Sequence, residues 1–132
     1  MNEILKHLEE FHGHLGPYAV IGYRMGLIAN EQLGSDPFEK QVQVKTGTTP
    51  PLSCIIDGIQ YSSGCTLGKG NISVKTLDDP TAIFTNKQGS SISITLKKDI
   101  RSEIELKVTN ENMIAYSKNM FIRSDEELFI IQ

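Results

Sequence analysis

The chain has 132 residues and a mass of 14.7 kDa, so we expect one domain spanning residues 1–132. Hydrophobic residues make up 39% and charged residues 22%, which excludes disordered, collagen-like and low-complexity classes. A net charge of -3 does not favour binding to nucleic acid or to an anionic membrane surface. Two cysteines and three histidines cannot build a cysteine-only zinc module, so any metal site must include histidine or carboxylate.

The N-terminal segment and the apolar runs indicate the compartment. Residues 1–10 are amphipathic and lack the apolar stretch of a signal peptide. No apolar run approaches the roughly 18 residues that a membrane span requires. We therefore expect a cytoplasmic protein without a membrane segment, in which paired cysteines act as ligands or redox groups more often than as structural disulfides.

Apolar periodicity and breaker residues predict an α+β domain with a mixed four- to five-stranded sheet flanked by helices. In chain order, the sequence predicts a helix over 2–11, a helix over 17–33, a strand over 41–46, a helix over 51–61, strands over 71–77, 82–85 and 91–96, and helical segments from residue 99 onward with breaks near 110 and 124. Pro17 suits a helix start, and Gly34 suits a helix end. Gly22 and Gly26, on one face of the second helix, would allow another element to approach closely.

The first candidate site is the break between the first two helices, at residues 12–17. In an extended segment, side chains at i and i+2 point to the same side, so His12 and His14 can face one point. Neutral imidazoles arranged in this way are a plausible pair of metal ligands. The alternative is that both are ordinary surface or capping histidines.

The second candidate site surrounds Cys54, which falls in the first turns of the third helix. There the helix dipole is expected to lower the thiol pKa and to favour a thiolate, which is a ligand or a nucleophile. Asp57 and Tyr61 lie on roughly the same helix face, and Cys65 follows in a glycine-bounded turn. The alternative is that Cys54 simply fills the core.

The segment around Lys69 does not form a phosphate-binding loop. Only three residues separate Gly64 from Gly68, and Gly70 stands where such a loop has Ser or Thr. Lys69 can still offer a positive charge to an anionic ligand, or it can be a solvated loop lysine.

Considered together, these segments closely resemble the FmdE family of formylmethanofuran dehydrogenase subunits over roughly residues 7–76. The resemblance rests on His12-Gly13-His14 with Pro17, Gly22-Tyr23-Arg24-Met25-Gly26, Cys54 with Asp57, and Gly64-Cys65-Thr66 with Gly68-Lys69-Gly70-Asn71. It implies an α+β core likened to thioredoxin, an active site where zinc can bind, a homodimer, and an association with a molybdenum or tungsten oxidoreductase. Many members carry a C-terminal zinc finger, but no cysteine follows Cys65, so we expect a core-only member.

The resemblance also implies the site residues. The implied zinc ligands are His14, Cys54 and Cys65, with His12 as a further candidate. His12 and Asp57 are the implied proton-handling catalytic residues. Tyr18, Tyr61 and Lys69 are expected nearby in the cleft.

One position departs from the family pattern. The family usually has cysteine where this chain has Gly16, so one thiol on the side of the histidines is missing. Four converging ligands would make a closed tetrahedral site, whereas three would leave a position open to water, as in catalytic zinc sites. The loss of the thiol could equally leave the site empty.

Two hypotheses follow from these residues. The first is a metal-binding protein, with metal-assisted acid–base or hydrolytic chemistry on a small one-carbon or pterin-type substrate if it is an enzyme. The second is a non-enzymatic accessory or interaction protein, in which the cysteines are packed or redox-sensing thiols and the histidines are structural. The missing thiol at Gly16 favours the second hypothesis.

Overall fold

The computed structural model describes residues 2–132, which form six α-helices and a five-stranded sheet. The helices are α1 (Glu3–His12), α2 (Pro17–Leu33), α3 (Cys54–Ser63), α4 (Lys98–Lys107), α5 (Met113–Ile122) and α6 (Asp125–Leu128). The strands are β1 (Lys40–Val44), β2 (Ile72–Val74), β3 (Thr81–Asn86), β4 (Ser91–Leu96) and β5 (Phe129–Ile131). The predicted α+β class is confirmed.

The sheet is mixed, with the strand order β2-β1-β3-β4-β5. Strands β1 and β2 are parallel, and the other neighbours are antiparallel. Alternate residues of β1, β3 and β4 are buried on one face, as the period of two in a strand requires. These side chains, including Val44, Phe84 and Ile94, join the apolar core that α2 covers.

Helix α2 is the centre of the molecule and is buried on most of its surface. Pro17 is its first residue, as the sequence predicted, and Gly34 follows its last residue. The sheet lies against one side of α2, while α3 and α5 pack on its other sides. Because α2 is enclosed in this way, its apolar residues surround the helix instead of forming a single stripe.

Helices α2 and α3 are in very close contact, and glycines make that contact possible. A Cβ atom added at Gly22 would overlap the carbonyl oxygen of Ile55, and one added at Gly58 would overlap the carbonyl oxygen of Ala19. A Cβ at Gly26 would overlap the hydroxyl of Ser62. The expectation that Gly22 and Gly26 admit another element is confirmed, and that element is α3. The contact brings the first turns of α2 and α3 side by side.

Arg24 connects α2 to the C-terminal helices. Its guanidinium donates hydrogen bonds to the carbonyl oxygens of Met120 (2.9 Å) and Phe121 (3.1 Å) at the end of α5. It also pairs with the carboxylate of Asp125 at 2.7 Å, at the start of α6. A cation at a helix C-terminus satisfies carbonyl groups that have no partner within the helix, so Arg24 holds α5 in place.

Two boundaries differ from the sequence-based expectation. Helix α3 begins at Cys54, because residues 50–53 form turns that include a cis Pro50–Pro51 bond. Strand β5 was not predicted, since it has only three residues and follows α6 directly. Within the part of the chain that the structure describes, no helix combines the length and apolar character needed to cross a membrane.

Candidate functional site

A cleft of about 390 Å³ opens where the first turns of α2 and α3 meet α4 and α5. His12, His14 and Cys54 line one side. Ile104 and Val108 line the other side and make it largely apolar. The cleft therefore brings the two candidate segments of the sequence together, although about 40 residues separate them along the chain.

His12 is the last residue of α1, and its imidazole is held by a carboxylate from α3. Its Nδ1 lies 2.6 Å from Oδ2 of Asp57, and only 10% of the His12 side chain is exposed. An ionised carboxylate can only accept a hydrogen bond, so Nδ1 carries the proton and donates it to Asp57. The other ring nitrogen, Nε2, is buried and has no hydrogen-bond partner among the described residues. A buried polar atom without a partner is uncommon and calls for an explanation.

His14 lies beside His12 at the mouth of the cleft, with ring centroids 5.0 Å apart. The side chain of His14 is exposed. A Cβ atom added at Gly16 would lie 3.1 Å from Cε1 and 3.6 Å from Nδ1 of His14, and 4.0 Å from Sδ of Met113. The thiol that the sequence lacks at Gly16 would therefore have stood between an imidazole and a thioether.

Cys54 is the first residue of α3 and is half-buried. Burial raises the pKa of its thiol, and the nearby Asp57 carboxylate raises it further. The expectation that the helix N-terminus lowers this pKa is wrong in direction, because lost hydration and a neighbouring negative charge both oppose the thiolate. Cys54 is therefore a protonated thiol that a ligand or a metal would have to deprotonate.

The structure does not bring Cys65 to the cleft. Cys65 is fully buried just beyond the end of α3, where its backbone N–H donates to Oγ of Ser63 at 3.1 Å. The whole of α3 lies between the two cysteines, and at 1.5 Å per residue this places them about 15 Å apart. That separation is far beyond the roughly 7 Å between Cα atoms that a disulfide allows.

Of the other expected cleft residues, Tyr18 lines the cleft, whereas Tyr61 and Lys69 lie elsewhere. Burial, with a smaller contribution from Glu105, raises the pKa of Tyr18 to about 12. The ring of Tyr61 packs 6.1 Å from the ring of Phe11. Lys69 sits in an exposed turn beyond α3, and its ammonium lies 5.6 Å from the centroid of an aromatic ring, that of Phe38.

A second cavity, of about 480 Å³, adjoins the first and shares Tyr18 and Glu105 with it. Its border is polar, since Arg101 pairs with Asp78 at 2.8 Å and with Glu105 at 2.9 Å. The sequence analysis did not single out these α4 residues. Their mixture of charged and apolar residues is typical of any amphipathic helix, and it contains no motif that could have marked them.

The cleft offers donors of the kind that zinc binds, although in the described geometry they do not yet converge. Histidines that bind metals usually donate their second ring N–H to a carboxylate, which is the arrangement of His12 and Asp57. The imidazole of His14 and the thiol of Cys54 line the same cleft. Among residues 2–132, however, no three His, Cys, Asp or Glu side chains form a group ready to hold a metal ion. The donor chemistry therefore fits zinc, and binding would require the side chains to close around the ion.

Comparisons with known proteins agree with the fold. A probable S-adenosyl-L-methionine-binding protein of Archaeoglobus fulgidus is 28% identical over 134 residues, covering 98% of this chain and 32% of that protein. This chain thus spans about a third of the length of that relative. The crystal structure of a tungsten formylmethanofuran dehydrogenase FmdE-like protein from Syntrophus aciditrophicus superposes with a TM-score of 0.69 at 18% identity, covering 98% of this chain and 69% of that one.

The match to a protein family spans nearly the whole chain. Residues 11–129 match the family described as FmdE, molybdenum formylmethanofuran dehydrogenase operon. The match extends well beyond the N-terminal motifs and includes α4, α5 and β5. The chain therefore belongs to the FmdE family.

Proposed function

We propose that this FmdE-family chain binds a transition-metal ion in its cleft through His12, His14 and Cys54, with zinc as the first candidate ion. The observation that carries the proposal is the buried His12 ring, which Asp57 holds at Nδ1 while Nε2 has no partner among the described residues. A hydrogen bond from Nδ1 fixes the tautomer, so the lone pair of Nε2 is available to a metal. This proposal replaces Cys65 with His12 in the expected ligand set, because Cys65 lies beyond the other end of α3.

The other cleft residues have roles that follow from their positions. A metal ion held there would supply Lewis acidity and would lower the pKa of a bound water. Ile104 and Val108 limit the access of bulk water to the donors. Asp57 orients His12, and these two residues are the acid–base pair available to a small one-carbon or pterin-type substrate.

The test is a metal-binding measurement on protein purified without added metal. We expect elemental analysis and zinc titration to give about one ion per chain. Replacing His14 with Gln or Cys54 with Ser should lower zinc affinity at least about tenfold, because each removes a donor. His7→Gln, an exposed histidine on α1, and Cys65→Ala are the matched controls and should leave affinity unchanged.

The same experiment distinguishes the alternative function. If the purified chain binds no zinc, or if the control variants weaken binding as much as the cleft variants, the metal proposal fails. A Cys54 thiol that zinc does not protect from alkylation would then favour an accessory or thiol-redox interaction protein. Circular dichroism of each variant would separate lost binding from lost folding.

A second candidate function is binding of S-adenosyl-L-methionine, which the two adjoining cavities favour. This molecule joins an apolar base to a charged amino-acid end through a positive sulfonium, and Glu105 borders both cavities. The Archaeoglobus fulgidus relative is named as a probable binder of this molecule. We expect it to bind more tightly than S-adenosyl-L-homocysteine, which lacks the sulfonium charge, and Glu105→Gln should remove the difference. Glu103→Gln, on the same helix, is the control, and an absence of binding at millimolar concentration would exclude this candidate.

The predicted partners belong to this proposal as well. We propose a homodimer that associates with a molybdenum or tungsten formylmethanofuran dehydrogenase, supported by the family to which the chain belongs. Light scattering after size exclusion should give about twice 14.7 kDa, and a monomer at all concentrations would contradict the dimer. The cytoplasmic location stays a prediction from the sequence.

A further inference from the structure

A thioether and an imidazole face the same open point in the cleft. The position that a Cβ atom would take at Gly16 lies 3.6 Å from Nδ1 of His14 and 4.0 Å from Sδ of Met113. Gly16 has no side chain, so nothing of its own separates the two groups. Met113, His12, His14 and Cys54 all line the cleft that contains this point.

We infer that Met113 supplies a second sulfur donor to the cleft, and that the cleft therefore binds Cu(I) more tightly than zinc. This inference rests on the proposed function, in which His12, His14 and Cys54 hold a metal ion. It adds to that function a donor from α5 and a class of ion.

The backbone of α5 holds Met113 at the cleft. Met113 is the first residue of the helix, and its carbonyl oxygen accepts a hydrogen bond of 2.8 Å from Oγ of Ser117. Arg24 fixes the other end of α5 through its last carbonyl groups. The side chain of Met113 is itself half-buried. The sulfur is therefore attached to a fixed helix and not to a free loop.

The chemistry of the four donors favours a soft ion. A thioether is neutral and polarisable, and with thiolate it selects Cu(I) among the metals available to proteins. Zinc sites use thiolate, imidazole and carboxylate ligands, so a thioether adds little to zinc affinity. Two imidazoles, one thiolate and one thioether also carry a single negative charge, which matches a monovalent ion.

The test compares the two ions on the intact chain. Cu(I) is titrated without oxygen against the chelator bathocuproine disulfonate, and Zn²⁺ is titrated against a zinc indicator. We expect Met113→Leu to lower Cu(I) affinity at least about tenfold and to leave zinc affinity within about twofold, because Leu keeps the volume and removes only the sulfur. Met120→Leu, a buried methionine on the same helix, is the matched control and should change neither affinity. X-ray absorption should detect two sulfur ligands on Cu(I) in the unmodified chain and one in Met113→Leu.

A second variant tests the geometry from the other side. Gly16 has φ -131° and ψ 157°, which any residue can adopt, so Gly16→Cys is compatible with the backbone. A thiol there lies between His14 and Met113, and we expect it to raise zinc affinity at least about tenfold. An unchanged zinc affinity in Gly16→Cys, or an unchanged Cu(I) affinity in Met113→Leu, would overturn the inference while zinc binding by the unmodified chain still stands. Binding of neither ion would instead overturn the proposed function.

Discussion

Replacing Asp57 with asparagine removes the charge that holds His12 in the cleft. The bond joins His12 Nδ1 to Asp57 Oδ2 at 2.6 Å, with 10% of the histidine side chain and 38% of the aspartate side chain exposed. Hydrogen bonds to charged groups contribute roughly 1.5–3 kcal/mol to stability, and partial exposure of one partner weakens them. We therefore expect Asp57→Asn to lower the free energy of unfolding by about 1–2 kcal/mol.

The assay is urea unfolding followed by far-ultraviolet circular dichroism, since the chain has no tryptophan. Glu39→Gln is the control, because its ion pair with Lys87 is largely exposed and should contribute less than about 1 kcal/mol. Alkylation of Cys54 is a second measurement on the same variant. Asp57 is one of the two causes that raise the pKa of this thiol, so Asp57→Asn should speed alkylation at pH 8. Burial, the larger cause, remains in the variant, and the pKa of Cys54 should stay above its ordinary value.

Two results would refute the reasoning. If Asp57→Asn unfolds within about 0.5 kcal/mol of the unmodified chain, the carboxylate does not hold His12 in solution. If stability falls and the rate of Cys54 alkylation does not rise, Asp57 does not act on the thiol. In either case the free lone pair of His12, on which the metal proposal depends, would lose its structural support.

Three further predictions concern the surroundings of the site. Gly58→Ala should lower the free energy of unfolding by about 1–3 kcal/mol, because the new Cβ overlaps the backbone of α2; an unchanged melting temperature would contradict the close contact. Arg24→Met should cost about 2–4 kcal/mol in the same urea assay, because it leaves two carbonyl groups and a carboxylate without their partner; a loss below about 0.5 kcal/mol would contradict this. Mass spectrometry after alkylation should find Cys54 modified in the folded chain and Cys65 only after unfolding. Because the fold raises the pKa of Cys54, the thiol's contribution to stability is complete below its unfolded-state pKa and is lost as pH rises through the folded-state pKa.

The sequence predicted those elements whose ends carry local markers. Helix α2 lies between Pro17 and Gly34, and the predicted start of α6 after Ser124 is confirmed, because that hydroxyl accepts the N–H of Glu127. Strand β5 has no comparable marker. Its three residues form a strand because they pair with β4, where Ile131 lies opposite Ile94. Such a strand is defined by a partner distant in sequence, and no local pattern can reveal it.

The candidate site was predictable where its residues lie within single segments. The His12-Gly13-His14 segment and the Cys54-to-Asp57 turn were identified separately, and the fold brings them to one cleft. Cys65 was grouped with Cys54 because the two are close in sequence, but an intervening helix separates residues along its axis as effectively as a strand does. Met113 could not be predicted, because its relation to the cleft depends on how α5 packs on α2.

The contact between α2 and α3 links the core to the site. The glycines at positions 22, 26 and 58 allow the two backbones to approach so closely that a single methyl group would displace one helix from the other. Asp57 is adjacent to one of these glycines on α3, and its carboxylate meets a histidine that α1 presents just before α2 begins. A shift of α3 along α2 would therefore change the 2.6 Å bond directly, since no flexible loop lies between the glycine contact and the carboxylate. The position of His12 Nε2, and with it the capacity of the cleft to hold a ligand, is thus determined by the packing of the core.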